Sequence, residues 1–479
     1  MVAVAGVGVG IAIAAAVALL GPLAALAPLV IVAGVWLTLR PWWALFAFAA
    51  VTILCGEDAT QALIGQEEWF HKALPGITLS PVNVLLLVLL ASVIVDVTRS
   101  GRRFIAPGLL TFPLLALAAL TVAGGLVGAS NATHDSTQLL NQVRGLSILI
   151  VLPFAIVNLP PRKPAVRTVV VVTVGLAALT ALQGLAAYAQ GVGKSIDNVT
   201  ITYISETPNW VTALMIFGAL ALVIGRGRLP FWVVAAAVLS FVSLTLSFRR
   251  AFWLGAVVGI VITIVAVRGG RRARLLPVGL AVAAVVLSLT TGIVGGAQGA
   301  LALRFSQLSP TQVQSSQDDR YRLDETRNVW QEIQSKPVTG LGLGVPWRVR
   351  KPLSQTLPDG TFYNHLAVLW FWLHLGILGP VVYVWLLGVG LVEAVRLGRR
   401  DRDSIVRAAG IAVAAGLVAV AVAETTATYV GADQRFDALF GLVLGWVAWA
   451  RVSERAELDD PDPIAADPPG RVARPSALR

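Results

Sequence analysis

Apolar runs of about 16 to 25 residues recur along most of the chain, separated by short polar breaks, and a run of that length can cross a hydrocarbon core as a helix. Fourteen such spans are predicted, over about 3–20, 22–39, 42–56, 77–97, 106–128, 139–159, 168–190, 210–225, 230–247, 251–267, 275–297, 364–395, 408–424 and 436–451. The first run lacks a basic leader stretch and has no polar segment after it. It is therefore read as a membrane helix, hairpinned to the second at Gly21-Pro22 rather than cleaved as a signal peptide. One polar segment is long, 298–363. In it Tyr321, Leu323, Val329, Trp330 and Ile333 recur at near-helical spacing, and Lys336-Pro337 stops the helix. The turn-rich tract Thr339-Gly340-Leu341-Gly342-Leu343-Gly344 follows.

The pattern predicts an all-α fold, a polytopic membrane bundle of about 12 to 14 helices with short helices in its one long loop. Its expected organisation is spans over 1–297, the loop over 298–363, three spans over 364–451 and a disordered tail over 452–479, rich in Asp and Pro. No internal repeat of the kind that marks many transporters is visible.

Composition agrees. Of 479 residues 56% are hydrophobic and 13% charged, against roughly a quarter charged in soluble domains. The net charge of +11 would suggest a nucleic-acid partner in a soluble protein, but membrane proteins gather Arg and Lys in cytoplasmic loops, so nucleic-acid binding is not expected. With both termini cytoplasmic, 23 of the 37 basic residues fall in inner segments. Thirteen fall outside, eight of them in the long loop. That loop is thereby expected on the extracytoplasmic face. Arg outnumbers Lys 32 to 5 in an Ala-, Val- and Gly-rich chain, which suggests high-G+C coding and a bacterial plasma membrane. The lone Cys55 allows no disulfide within the chain.

Three features carry chemistry, all expected on the outer side. Arg249-Arg250 interrupts an apolar stretch running from Phe231 to Val267. It reads either as a hairpin turn capped by snorkelling arginines or as an anion clamp, since Arg presents a fork of donors to phosphate oxygens. In the loop, Arg320 with Asp324 and Arg322 with Glu325 have salt-bridge spacing on a helix; alternatively an arginine, Arg322 before Arg320, turns back to join the first pair around a diphosphate. Third, Asn364-His365 opens a span, and His is the side chain best suited to move a proton near neutral pH. His374, nine residues on, falls about 13 Å deeper and half a turn around on an ideal helix. With His71 and His134 in other loops, no metal site is expected. The glycine tract does not end in Gly-Lys-Ser/Thr, so it reads as a tight turn and not a nucleotide loop. Arg144 inside a span is expected to face a polar cavity, which Trp330, Asn364, Glu424 and Arg435 could also line. Asp96, Glu393 and Glu424, at span ends within reach of interfacial water, rank lower.

These residues resemble the O-antigen ligase and polymerase family, polytopic enzymes of GT-C-like character. The resemblance runs from Ser247-Phe248-Arg249-Arg250-Ala251-Phe252-Trp253, through Arg322-x-x-Glu325, Trp330 and Pro337-x-x-Gly340-x-Gly342-x-Gly344, to His365, Leu369 and Gly376-Ile377-Leu378-Gly379. The family usually reads His-Asn where this chain has Asn364-His365, and often Glu where His374 stands. The resemblance implies a glycosyltransferase with a polyprenyl-diphosphate-linked glycan as donor and a glycan or glycolipid as acceptor; no cofactor or metal is expected, because the diphosphate is already activated and the arginines can replace a cation. It implies that Arg250 or Arg249, with Arg322 or Arg320, holds the diphosphate while His365 acts on the acceptor hydroxyl. Ligase and polymerase share these motifs, and a lipid-glycan flippase or transporter is the reading from another class.

Overall fold

The computed structural model describes residues 27–55, 79–160, 163–191, 194–196, 199–201, 206–226, 229–247, 249–267, 317–353, 360–400 and 403–459. Among them the chain is helical apart from one short antiparallel pairing, β1 (Lys194–Ile196) with β2 (Val199–Ile201), in which Lys194 faces Ile201. The helices are α1 (Ala27–Thr38), α2 (Pro41–Leu54), α3 (Pro81–Arg99), α4 (Thr111–Ala129), α5 (Ser136–Val157), α6 (Lys163–Ala189), α7 (Glu206–Arg226), α8 (Phe231–Leu246), α9 (Arg250–Ala266), α10 (Gln317–Ser335), α11 (Ala367–Leu375), α12 (Leu378–Arg400), α13 (Ser404–Ala423) and α14 (Gln434–Asp459). Eight described helices are long and apolar enough to cross a membrane, α8 and α9 are shorter apolar helices, and α1 and α2 meet at a 120° bend. This is a multi-pass helical membrane protein. The predicted spans 3–20 and 275–297, with His71 and most of the predicted tail, lie outside the described residues.

Local chemistry sets the helix starts. Ser80 accepts from the Asn83 N–H at 3.3 Å, just before Pro81 in the first turn of α3. Asp135 caps α5 through Gln138 N–H at 2.9 Å, and Asp403 caps α13 through Ile405 N–H at 2.7 Å. In each case a side-chain oxygen satisfies an amide that the first helical turn leaves open. At the centre α14 packs along α5, and α13 lies between α9 and α7. Small residues allow the close approach. A Cβ on Gly255 would meet the Ala419 carbonyl, and one on Gly259 the ring of Phe217. Trp210, fully buried, stacks on Phe436 and Phe440 and donates from Nε1 to the Gly416 carbonyl at 3.1 Å.

Two expectations need correction. The run 364–395 is not one span: α11 ends at Leu375, Gly376 takes φ +72°, and α12 starts at Leu378. The break is made by the loop, because Ile377 N–H donates to the Pro337 carbonyl at 3.1 Å and a Cβ on Gly376 would run into the Val338 carbonyl. Hydropathy could not report it, since a glycine does not interrupt an apolar run. The last helix also continues past 451 to Asp459, with Arg451 Nε held by Glu393 Oε2 at 3.2 Å.

The glycine tract seats the long loop on the bundle. Gly340, Gly342 and Gly344 all have positive φ, and a Cβ on each would strike a different element: α11 at the Leu373 carbonyl, α4 at Gly128, and α5 at Leu139. The tract is tied at Leu341 N–H to Leu373 O (2.6 Å), Leu343 N–H to Gly124 O (2.9 Å) and Gly344 N–H to Gln142 Oε1 (2.7 Å). The tight-turn reading therefore holds.

Candidate active site

α10 is amphipathic. Tyr321, Glu325, Asn328, Val329 and Glu332 lie on its buried face, at the spacing that puts residues on one side of a helix. Asn328 Oδ1 accepts from the N–H groups of Arg350 (2.9 Å) and Lys351 (2.8 Å), while Glu332 pairs with Arg350 at 3.0 Å. These bonds fix the returning strand of the loop to the helix. The same face delivers Glu325, which is 1% exposed, to His365. Its Oε2 accepts from the His365 backbone N–H at 2.9 Å and lies 2.8 Å from the ring Nδ1. Its Oε1 accepts from the Tyr321 hydroxyl at 3.3 Å. Burial, then the neighbouring Glu325 carboxylate, pushes the Tyr321 phenol above its usual range, so it stays a donor.

His365 precedes the first turn of α11. Its ring stands edge-on to those of Tyr321 and Tyr363, with centroids 5.9 and 5.1 Å away. A carboxylate at Nδ1 selects the tautomer with the proton there, which gives Nε2 the lone pair. Asn364 is buried, its Oδ1 accepting from Leu366 N–H at 3.0 Å, while its Nδ2 has no partner among the described residues. His374 is fully buried, and its ring nitrogens face the carbonyls of Gly342 and Phe362 at 2.9 and 3.3 Å. It braces the loop from beneath.

The arginine pair opens a helix. Arg249 is the N-cap of α9 and Arg250 its first residue, both half-buried, with no acidic residue in the first turn. Two guanidinium groups thus sit at a helix N-terminus, the end whose open N–H groups and dipole favour an anion. Trp253 Nε1 donates to the Leu244 carbonyl at 2.9 Å and pins the turn. On the same turn, Phe252 packs on Tyr429 with centroids 5.3 Å apart. The adjacent Thr428 N–H donates to the Tyr363 hydroxyl at 3.0 Å, so the segment between α13 and α14 touches both α9 and the segment that carries His365.

That segment holds two buried carboxylates on consecutive amides. Glu424 Oε1 accepts from Val430 N–H at 2.8 Å and Asp437 Oδ1 from Gly431 N–H at 2.7 Å. Glu424 Oε2 and Asp437 Oδ2 are buried with no partner among the described residues. Burial raises the Glu424 carboxyl to about 8, opposed by the N–H groups of Val430 and Tyr429. Arg435 is buried beside Asp433, its Nε 3.6 Å from Oδ1.

The remaining expected residues scatter. Arg144 is half-buried on α5 next to Gly145, against which Asp437 packs. Arg322 is half-buried one turn before Glu325, whose carboxylate turns to His365 and not to Arg322; Arg320 is exposed. Trp330 lies on the exposed face of α10, edge-on to Trp372. Asp96 pairs with Arg102 just past the end of α3, and Glu393 pairs with Arg396 on its own helix α12 and with Arg451 on α14. Among the described residues no group of three His, Cys, Asp or Glu side chains gathers as metal ligands. The sequence paired Glu325 with Arg322 and offered Tyr321 only as part of a near-helical apolar spacing. Their i, i+4 spacing on the buried face was the available signal.

A family model described as O-antigen ligase matches residues 235–384. The matched segment holds Arg249, Arg250, Arg320, Arg322, Glu325 and His365 and leaves out Arg144, Glu424 and Arg435. Over that segment the match agrees with the resemblance to the O-antigen ligase and polymerase family. Among curated proteins no match is found.

Proposed function

We propose that this chain, whose residues 235–384 are an O-antigen ligase family segment, is a ligase that moves a glycan from a polyprenyl-diphosphate carrier to an acceptor hydroxyl. The reaction is assigned to the extracytoplasmic face of a bacterial plasma membrane, with residues 298–363 outside and both termini in the cytoplasm. The Glu325–His365 pair carries the reading. A buried carboxylate on Nδ1 and on the backbone N–H holds the ring in one orientation, with Nε2 as the base.

In the reaction Nε2 takes the proton of the acceptor hydroxyl as its oxygen attacks the anomeric carbon. The bond from that carbon to the diphosphate oxygen breaks, and the electron pair leaves with the diphosphate. Arg249 and Arg250 at the start of α9, joined by Arg322, stabilise that departing charge. Half-buried Arg322 suits this better than exposed Arg320. Direct displacement inverts the anomeric centre. The carrier's tail has a path along α9, whose Leu254, Val257, Val261 and Val265 are exposed along the helix below the arginines. The diphosphate is already an activated leaving group.

The test is the chain length of lipid-linked glycan in cells whose only copy carries His365→Ala. Accumulated long chains are expected of a ligase; accumulated single repeat units would make the enzyme a polymerase. If neither amount nor length changes, the transfer reading fails in favour of a transporter.

A further inference from the structure

The buried face of α10 serves His365, and on the opposite face a row of side chains is exposed among the described residues. Arg320, Leu323, Arg327 and Trp330 are all exposed, and their 3- and 4-residue spacing puts them on one stripe. Leu323 is 52% and Trp330 41% exposed, and Val338, just past the helix, is 72% exposed. A water-facing helix has little reason to show such side chains in a row with arginines.

We propose that this stripe is a membrane-surface face, seated in the headgroup layer of the bilayer that the bundle spans, with anionic phospholipid as its partner. Continuity with the lipid-facing surface carries the assignment. On α12, Leu378 and Val381 are both 56% exposed, as a helix in hydrocarbon requires. That surface does not end at the Gly376 break. Ile377, itself exposed, donates its N–H to the Pro337 carbonyl at 3.1 Å. Trp372 Nε1 donates to the same carbonyl at 2.8 Å, and Trp330 stands edge-on to Trp372 with centroids 5.6 Å apart. Exposed apolar side chains thus run from α12 over Val338 to Trp330, with Leu323 two turns further along the same stripe beyond Arg327. Tryptophan is enriched at the membrane–water boundary. Exposed Arg320 and Lys336 border the band, with Arg327 shared with Asp324 at 3.1 Å, the basic edge that an interfacial helix offers to lipid phosphates. A glycan-binding face would have use for Trp330 but none for Leu323 and Val338. Seated this way, α10 holds Glu325 and His365 at headgroup depth, whatever reaction they serve.

Cys55 is the sole cysteine, so single-cysteine labelling in a Cys55→Ala background tests the face directly. An environment-sensitive fluorophore would be placed at L323C, W330C, V338C and K351C, with full-length protein in vesicles of equal parts phosphatidylcholine and phosphatidylglycerol. Lys351 is the control, because its backbone is held by Asn328 on the far side of α10. Lipid-borne nitroxide should quench 323, 330 and 338 several-fold more than 351, and aqueous iodide should show the reverse order. Equal iodide access at all four positions would overturn the proposal. So would shielding of 323 and 330 only on addition of glycan. Arg320→Glu with Arg327→Glu should reduce the nitroxide quenching gained on going from pure phosphatidylcholine to the mixed vesicles. An unchanged gain would remove anionic lipid as the partner.

Discussion

One carboxylate oxygen of Glu325 binds His365 twice, at the backbone N–H and at ring Nδ1. Chain position and ring orientation are therefore set by one buried atom, itself steadied through Tyr321 on the other carboxylate oxygen. Glu325→Gln places an amide against two donors and should lower kcat for glycan transfer by about 10²-fold or more, with Glu325→Asp recovering part of the loss. Single-turnover transfer in membranes, with insertion checked on the same sample, reads this out. A full rate in Glu325→Gln would remove the carboxylate from the mechanism.

Lysine should not replace the arginines at the start of α9. Arg250→Lys keeps the charge but loses the forked donors that match phosphate oxygens. Transfer is expected to fall roughly 10²-fold in Arg250→Ala and to stay low in Arg250→Lys. Recovery in the lysine variant would mean that charge alone suffices there.

Gly342→Ala should loosen the loop without touching a reacting group. The residue sits at φ +94°, and a Cβ would collide with the backbone at Gly128. The strain and the clash together should cost about 2 kcal/mol or more. The expected result is a lower thermal transition in detergent and faster proteolysis between 340 and 363.

Glu424 gives a pH signature. Its carboxyl, raised by burial to about 8 from 4.5, keeps its proton in the folded chain at pH values where the unfolded chain has released it. The folded state binds more protons in that window, so stability is greatest below 4.5 and declines as pH rises towards about 8, by a few kcal/mol. Glu424→Gln should flatten that decline, with its largest gain near the alkaline end. A thermal unfolding series against pH in both proteins reads the difference, and parallel curves would show that the carboxyl is not buried in solution.

Much of this molecule was legible in the chain because a bilayer imposes a simple rule. Apolar runs of sufficient length become helices, whatever surrounds them. Hence α3 to α9 and α13 fall where hydropathy predicts, and α14 starts there. Likewise, Arg249-Arg250 and His365 stood out because charge and imidazole are rare against an apolar background.

Hydropathy was silent about the break at Gly376 and about the partner of Glu325. The break is imposed by Pro337 and Val338 pressing on the helix from the loop. The partnership joins residues forty positions apart, so no local spacing could rank it above the Arg322–Glu325 pairing. The sequence determined which segments are helices and which residue types are available for chemistry, because both follow from local composition. Only the tertiary structure decided which carboxylate meets the histidine and which face of α10 is left exposed, because those depend on three glycines letting a distant loop settle against α4, α5 and α11.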